Sequence, residues 1–442
     1  MPTATSSPAE FDIDTQTMLD TLQRVAFDYF IRSANLENGL VADRDRDGSP
    51  ASIAAVGMAL SVYTIGVERG FITRSEARQR TLTTLRFLSG LPQGTQADAS
   101  GYRGLFYHFL DMQTGRRAWQ CELSTIDTAL LMAGVLTASV YFGGADEEET
   151  EIRGLGDALY KRVDWRWAEH GGETLTLGWK PRRGFLKYRW KGYDESLILH
   201  ILGLGSPTYP ISAQSYHAYT RSFDWRTVEN ETYLHGSSLF MHQLSHTWVD
   251  FRGIRDAFMA ERGIDYFENS RRATYAQRAY AMRNPLGFDG YGENAWGISA
   301  SDGPGPARRT IEGVRRYFYG YQARGVPNGP DDGTLSSWAV AASLPFAPEI
   351  VIPALRNLRA AGLHRGGPEG FLITYNSTFT SKRNEVAWIA SEAIGINQGP
   401  VAMMIENHRS DLIWSLMRRS PPVINGLRAS GFKGGWLDET AV

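Results

Sequence analysis

Residues 124–142 read STIDTALLMAGVLTASVYF, and from 128 to 145 eighteen consecutive positions carry no charged side chain. Such a helix, apolar on every side, either spans a membrane or lies in the interior of a large soluble fold. Residues 51–67 repeat the pattern over seventeen uncharged positions. Both stretches are interrupted by Gly, Ser, Thr and Tyr, sit at the lower limit of a spanning segment and stand in a polar chain, so the interior reading is favoured. Working outward, amphipathic segments alternate with apolar ones. Residues 15–33 place Met18, Leu19, Leu22, Val25, Ala26, Tyr29 and Phe30 on one stripe. Residues 75–91 follow, with Thr73 or Ser75 as N-cap, and 147–168 are heavily charged. Further helices are predicted over 192–204, 234–248, 254–282, 335–342, 348–361, 386–394 and 400–418. About twelve helices in an inner-apolar, outer-amphipathic alternation predict an all-α chain folded as a single (α/α)6 toroid (barrel) with short β-hairpins in its loops. One such hairpin is expected from 174–179 and 185–189. The stretches 303–306 and 325–333 read as long loops, so 14–442 is expected to be one domain behind a disordered arm, 1–13.

The composition narrows the function classes. In 442 residues, 46 Lys+Arg against 48 Asp+Glu leave a net charge of −2, without the basic excess that nucleic-acid binding brings. With 46 Gly, 12 Trp and 20 Tyr, the chain is rich in loops and in flat, polar-edged rings, a composition suited to carbohydrate. Cys121 stands alone, which excludes an internal disulfide and cysteine-based metal sites. The N-terminus has neither a basic n-region nor an apolar h-region. A cytoplasmic location is therefore expected, or a periplasmic one if a leader was removed. No membrane partner, nucleic acid or obligate protein partner is inferred.

Candidate chemistry clusters at element ends. Glycosidic cleavage needs one protonated carboxyl and one ionised carboxylate across the bond. Glu195 opens an apolar helix between aromatic neighbours Trp190 and Tyr193, and burial among rings raises a carboxyl pKa as a general acid requires. The alternative is that Asp194 or Glu195 merely caps the helix. Glu122 and Asp127 precede another apolar helix. His242 and His246 have i, i+4 metal-ligand spacing with Asp250 beyond, but the Glu of the zinc-protease motif is missing; core or substrate-contacting histidines are the favoured reading. Residues 290–304 do not follow a strand, which argues against a dinucleotide loop. Tyr291, Glu293, Asn294, Trp296 and Asp302 in that loop suit rings that stack on pyranose faces and short groups that take hydroxyls.

The segments LDTLQRVAFDYF, GVERGFITRSEA, STIDTALLMAGVLTASVYF, KGYDESL, GSPTYPI, YGENAWGISASDGP, INQGP, IENHRSDLIW and GLRASGF, spread over nearly the whole chain, resemble the bacterial glucoamylase-like family that includes endo-β-1,2-glucanases. They also resemble the transglycosylase domain of cyclic β-1,2-glucan synthases. The resemblance implies an (α/α)6 barrel, no metal or cofactor, and anomer-inverting action on a β-1,2-linked glucan or oligosaccharide. The Glu of the family's Gly-Tyr-Asn-Glu-Ala motif matches Glu195, the general acid, and Asp194 stands where Asn is usual. The carboxylate of the Ile-Asp-Gln-Gly-Pro motif is Asn397 here, which cannot accept a proton. The transglycosylase-like relatives imply instead a Glu ahead of the Ser-x-x-Asp-Thr-Ala helix, so Glu122 is the expected base, with Asp127 as second choice. Substrate contacts are expected from Tyr107, Trp190, Tyr193, Asp194, His246, Trp248, Arg252, Tyr291, Glu293, Asn294, Trp296, Tyr375, Asn397 and Gln398. Hydrolysis of another linkage, transglycosylation and non-catalytic glucan binding remain alternatives.

Overall fold

The computed structural model describes residues 13–366, 370–380 and 386–440. The arm expected over 1–13 lies outside them except for Ile13, which opens the first helix, Ile13–Arg32. Helices dominate, joined by short antiparallel strand pairs. The two decisive apolar stretches form the helices Ile53–Glu68 and Thr125–Tyr141, and nearly every side chain along both is buried. No helix among the described residues is long and apolar enough to cross a membrane.

These two helices pack on each other at very close range. A Cβ on Gly134 would lie 1.8 Å from the Gly57 carbonyl oxygen, and one on Gly57 would lie 2.4 Å from the Leu130 oxygen. Glycine at both positions is what lets the backbones touch. From this pair, contacts run through a series of apolar helices. Thr125–Tyr141 packs on Leu197–Leu204, Ile53–Glu68 packs on Gly395–Ser410, and Gly395–Ser410 packs on Ser337–Ala342. The short helix Leu244–Trp248 bridges the remaining gap. Its Ser245 Oγ accepts from the Ile198 N–H at 3.1 Å and donates to the Glu195 carbonyl at 3.0 Å. The preceding Gln243 donates to Ala339 O at 2.6 Å and Ser343 Oγ at 2.8 Å. Amphipathic helices cover this set from outside: Ile13–Arg32 on Gly395–Ser410, Arg74–Gly90 on Ile53–Glu68, Glu147–Lys161 on Thr125–Tyr141, Pro421–Ala429 on Leu197–Leu204 and Pro348–Ala360 on Ser337–Ala342.

Three of the apolar helices start in the same way. A two-residue strand ending in Ser (Ala51–Ser52, Leu123–Ser124, Leu335–Ser336) pairs with a neighbouring strand and turns directly into the helix. Ser52 and Ser124 cap by accepting the N–H three residues on. The strand pair anchors the first turn of each helix, which fixes where its leading side chains point.

Several expected elements differ. Residues 386–394, expected helical, contain the strand Trp388–Ile389 paired with Tyr375 and Asn376, because two β-favouring residues meet a ready ladder. The 234–248 segment divides into the end of strand Glu231–Leu234, a 3-10 turn Leu239–His242 and the helix Leu244–Trp248. The 254–282 helix divides into Ala257–Ala260 and Tyr266–Arg283 around Gly263 at φ +70°. Asp164 caps a new helix, Trp165–Glu169, and ends the 147–168 helix at Lys161. The last apolar helix begins at Gly395 and stops at Asp411, φ +59°, before Leu412–Met417. The expected hairpin exists in shortened form, with Trp179 opposite Phe185. Unforeseen hairpins include Trp225–Val228 with Glu231–Leu234 and Ala307–Ile311 with Val314–Phe318. Each turns on two residues of positive φ, Glu229-Asn230 and Glu312-Gly313, the geometry that matches strand twist.

Candidate active site

A cavity of about 650 Å³ opens where the apolar helices begin. Its wall takes Ser52 from the start of Ile53–Glu68, Ile126 and Asp127 from Thr125–Tyr141, and Glu195 from just ahead of Leu197–Leu204. Leu244, Trp338, and the pair Ile396 and Asn397 come from the starts of Leu244–Trp248, Ser337–Ala342 and Gly395–Ser410. Loops between helices complete it with Asp43, Arg44, His108, Trp119 and Tyr321. Six helix N-termini thus face one space, and the carboxylates there offset the positive ends of their dipoles.

Glu195 sits in a turn held by its neighbour. Asp194 Oδ1 accepts from Ser196 N–H at 2.9 Å, Ser196 Oγ–H at 2.6 Å and Tyr219 O–H at 2.9 Å, which starts the following helix and leaves Glu195 facing the cavity. Burial, and then the charges of Asp194 and Asp127, push the Glu195 carboxyl well above the usual carboxylate range. Burial raises Asp194 as well, against the pull of its hydrogen bonds. Neither acid is the helix cap that the sequence suggested: Ser196 holds that position, Asp194 braces the turn ahead of it, and Glu195 is left free of both roles.

Across the cavity a histidine joins two carboxylates. His108 Nδ1 lies 2.9 Å from Glu122 Oε1, and its Nε2 lies 3.6 Å from Asp127 Oδ2. Burial opposes the charged imidazole, yet Asp127, Glu122 and Asp43 outweigh it and carry its pKa up to about 9. The imidazole is thus an imidazolium at neutral pH. The same hydrogen bond holds Glu122 below its ordinary value against the opposing effect of burial. Asp127 also takes a short hydrogen bond from Ser124 Oγ while its own N–H donates back to that oxygen. The His108 ring stacks on Phe109 at 3.9 Å. Burial raises Asp43, and the nearby Arg44 guanidinium opposes this. Arg44 itself is clamped by both oxygens of Asp302 and by Glu392.

Of the residues singled out in the sequence, Glu195, Asp127 and Asn397 line this cavity. Glu122 stands behind His108. Gln398 lines a small adjoining cavity and donates to Leu372 O at 2.8 Å. The rest lie elsewhere. Trp190 Nε1–H donates to Thr125 Oγ1 at 3.0 Å, and Trp248 Nε1–H donates to Ser61 Oγ at 2.9 Å, each from inside the core. Tyr193 stacks on Tyr266 at 5.8 Å. Tyr107, Trp296 and Tyr375 are buried, the first beneath the Arg117 guanidinium. Tyr291 donates to Asp331 at 2.6 Å, Glu293 pairs with Arg278, and the Asn294 carbonyl accepts from Asn357. Arg252 joins Asp250 and Asp411 over the Trp414 ring. His242 Nε2–H donates to the Gly236 carbonyl at 2.9 Å, and His246 meets Ser270 at 3.0 Å. Burial lowers these two histidines to about 4 and about 3, which suits neutral core side chains. Among the described residues no group of three or more His, Cys, Asp and Glu is placed to hold a metal ion.

Sequence reasoning missed Asp43, Arg44, His108 and Tyr321. A signal existed for the first two: DRDRD at 43–47 directly precedes the first apolar helix, where charged side chains must face either solvent or a polar cavity. His108 and Tyr321 carry no comparable pattern.

A model of the family described as "Putative glucoamylase" matches residues 187–421. The chain is 29% identical over 455 residues to the exo beta-1,2-glucooligosaccharide sophorohydrolase (non-reducing end) of Parabacteroides distasonis, covering 96% of this chain and 59% of that protein. It therefore spans about three-fifths of that curated relative's length. A crystal structure from Bacteroides uniformis, described in the same words as the family, superposes with a TM-score of 0.83 at 30% identity, over 97% of this chain and 100% of that one. The endo-beta-1,2-glucanase of Chitinophaga pinensis, in complex with sophorotriose and glucose, superposes at 0.82 with 25% identity, over 96% and 100%.

Proposed function

We infer that this chain, which belongs to the glucoamylase-like family whose model spans residues 187–421, is a glycoside hydrolase that cleaves β-1,2-linked glucan with inversion at the anomeric carbon. The observation that carries the reading is one cavity that pairs a carboxyl pushed well above its usual range (Glu195) with the carboxylate of Asp127, which His108 joins to Glu122, a carboxylate held below its usual range. Glycosidic cleavage requires that division of labour. The relatives support the substrate class: the curated one is named for β-1,2-glucooligosaccharides and the Chitinophaga pinensis structure for β-1,2-glucan. The succession of six apolar helices around the cavity, each touching the next, supports the (α/α)6 toroid as the architecture and one domain over 14–442.

In the proposed reaction Glu195 gives its proton to the glycosidic oxygen as the bond from that oxygen to the anomeric carbon breaks. Water attacks the carbon from the opposite face and its proton goes to a carboxylate. Of the two expected bases, Asp127 lines the cavity, so we assign the proton's first stop to it. Glu122 positions the His108 imidazolium, whose Nε2 lies 3.6 Å from Asp127 Oδ2 and orients that side chain. Asn397 offers an amide to sugar hydroxyls. Because no base stands at Asn397, transfer to a sugar hydroxyl in place of water is the second reading.

The test is incubation with linear β-1,2-glucan and NMR of the anomeric signals at early times. Shorter products released in the α configuration support inverting hydrolysis. Longer or cyclic products favour transfer. No change in the glucan refutes the substrate assignment. Glu195→Gln is expected to lower kcat by roughly 10²–10⁴-fold, the usual worth of a general acid, with binding retained. Unchanged turnover would remove Glu195 from the mechanism.

A further inference from the structure

A larger cavity, about 1100 Å³, lies beside the Glu195 cavity, and Arg44, Arg46 and Trp119 belong to the walls of both. Trp119 is 60% exposed. It sits at φ +51° and is followed by Gln120 at φ +49°. Two successive non-glycine residues in the left-handed region are a costly conformation that persists only where the surroundings impose it. Here Arg117 imposes it: Nε–H donates to Cys121 O at 2.7 Å, Nη2–H to Gln120 O at 2.6 Å and Nη1–H to Ala97 O at 3.2 Å. The indole packs one side at 5.0 Å against Phe109, which in turn stacks on His108. The strained, clamped loop thus keeps a large ring at the junction of two cavities when burial would be the ordinary outcome for Trp.

The wall of the larger cavity carries equal numbers of arginines and carboxylates. Arg365 is tied to both oxygens of Asp45 there. Such a surface offers many hydrogen-bond donors and acceptors without a net charge, which suits a neutral polyhydroxyl ligand and not a charged one. The smaller cavity alone falls within the ~300–1,000 Å³ of a small-ligand site, whereas the two together exceed it, as a chain of linked sugars needs.

We propose that the glucan path runs from the Glu195 cavity past Trp119 into the larger cavity, and that Trp119 is the stacking platform that sets chain-length preference. This rests on the glucan reading above and adds to it where the chain extends and which residue measures its length. The experiment compares kcat/KM of wild type, Trp119→Ala and Trp119→Phe on β-1,2-linked oligosaccharides of increasing length. Calorimetric titration of the same series runs alongside, with each enzyme carrying Glu195→Gln. The loss caused by Trp119→Ala is expected to grow with length, reaching about tenfold or more for the longest chains, the worth of one aromatic stacking contact. Trp119→Phe is expected to recover part of it. Equal loss at every length, or no loss, overturns the proposal. Circular dichroism that shows an unfolded Trp119→Ala shifts the decision to Trp119→Phe, for which the same length dependence is required. Wild type that binds but does not turn over the series refutes the catalytic reading and leaves the path standing on the titration. Wild type that does neither refutes both.

Discussion

Replacing Asp194 by Asn removes a negative charge next to Glu195 but keeps an oxygen for the three donors that hold it, Ser196 N–H, Ser196 Oγ–H and Tyr219 O–H. Asn is also what the resemblance leads one to expect at that position. Two carboxylates ~6 Å apart at an effective dielectric of ~20 repel by about 3 kcal/mol, an upper limit of about two pKa units. Burial is the larger cause of the raised Glu195 pKa, with Asp194 second, so we expect a fall of about one unit. The sign follows directly. As the proposed acid, Glu195 acts only while protonated, so the alkaline limb of kcat/KM against pH moves to lower pH by about one unit, and turnover above the limb falls about tenfold. Stability moves the other way. A carboxyl whose folded pKa is raised leaves stability whole below its unfolded value of ~4.3 and erodes it as pH climbs toward the folded value. Asp194→Asn relieves up to about 1.4 kcal/mol of that loss, in full only at pH above the folded Glu195 pKa and by a fraction near neutrality. For 442 residues, unfolding entropy near 0.9 kcal/mol per degree converts this into a Tm gain of about 1–2 °C. The assays are initial rates from pH 5 to 10 and calorimetric melting at pH 5 and 8. A limb that stays in place, or moves to higher pH, refutes the claim that Asp194 helps to hold the proton on Glu195.

Three further perturbations probe other parts of the argument. His108→Asn is expected to lower Tm at pH 6 and to cost little above pH 10, because the imidazolium's stabilisation is whole below its unfolded value of ~6.5 and is lost as pH rises through about 9; a Tm difference that does not vary with pH counts against the charged cluster. Gly134→Ala drives a methyl into the Gly57 carbonyl, 1.8 Å away, and should destabilise by about 1–3 kcal/mol or more in urea titration; a neutral result would mean that the two helices are not in backbone contact. Arg324→Met leaves the fully buried Asp332 carboxylate without the guanidinium 2.7 Å away, a loss of about 3–5 kcal/mol. Since Arg324 also binds the Tyr319 and Gly320 carbonyls ahead of Tyr321, activity should fall alongside stability, and retained activity would detach that loop from the site.

Where local pattern decides structure, the sequence was readable. Uninterrupted apolar runs such as 51–67 and 128–145 must become buried helices, since every face is apolar and the backbone needs internal hydrogen bonds. Glu195 was legible for a similar reason: a carboxylate between aromatic residues at a helix start is either a cap or a group with a raised pKa, and the N-cap position falls to Ser196. Two-residue strands, the Trp388–Ile389 pairing and the Arg-rich hairpin Ala307–Ile311 with Val314–Phe318 were not legible, because a strand is stabilised by a partner that the local pattern does not name. The aromatic substrate list failed to converge for a related reason. Trp190, Trp248 and Trp296 look alike in sequence, and only packing puts their rings in the core while it leaves Trp119 at a cavity rim.

By itself, then, the sequence determined the helical class, the alternation of apolar and amphipathic helices and the family, and it put Glu195 forward as the proposed acid. Those follow from side-chain periodicity and local motif, which act within one or two turns of chain. The tertiary structure alone decided that Asp43, His108, Asp127, Glu195, Tyr321 and Asn397 share one cavity. These residues span most of the chain and meet only because six helices start at a common mouth. The charge of His108 is likewise a property of the assembled site, set by Glu122, Asp127 and Asp43 at distances that no local reading supplies.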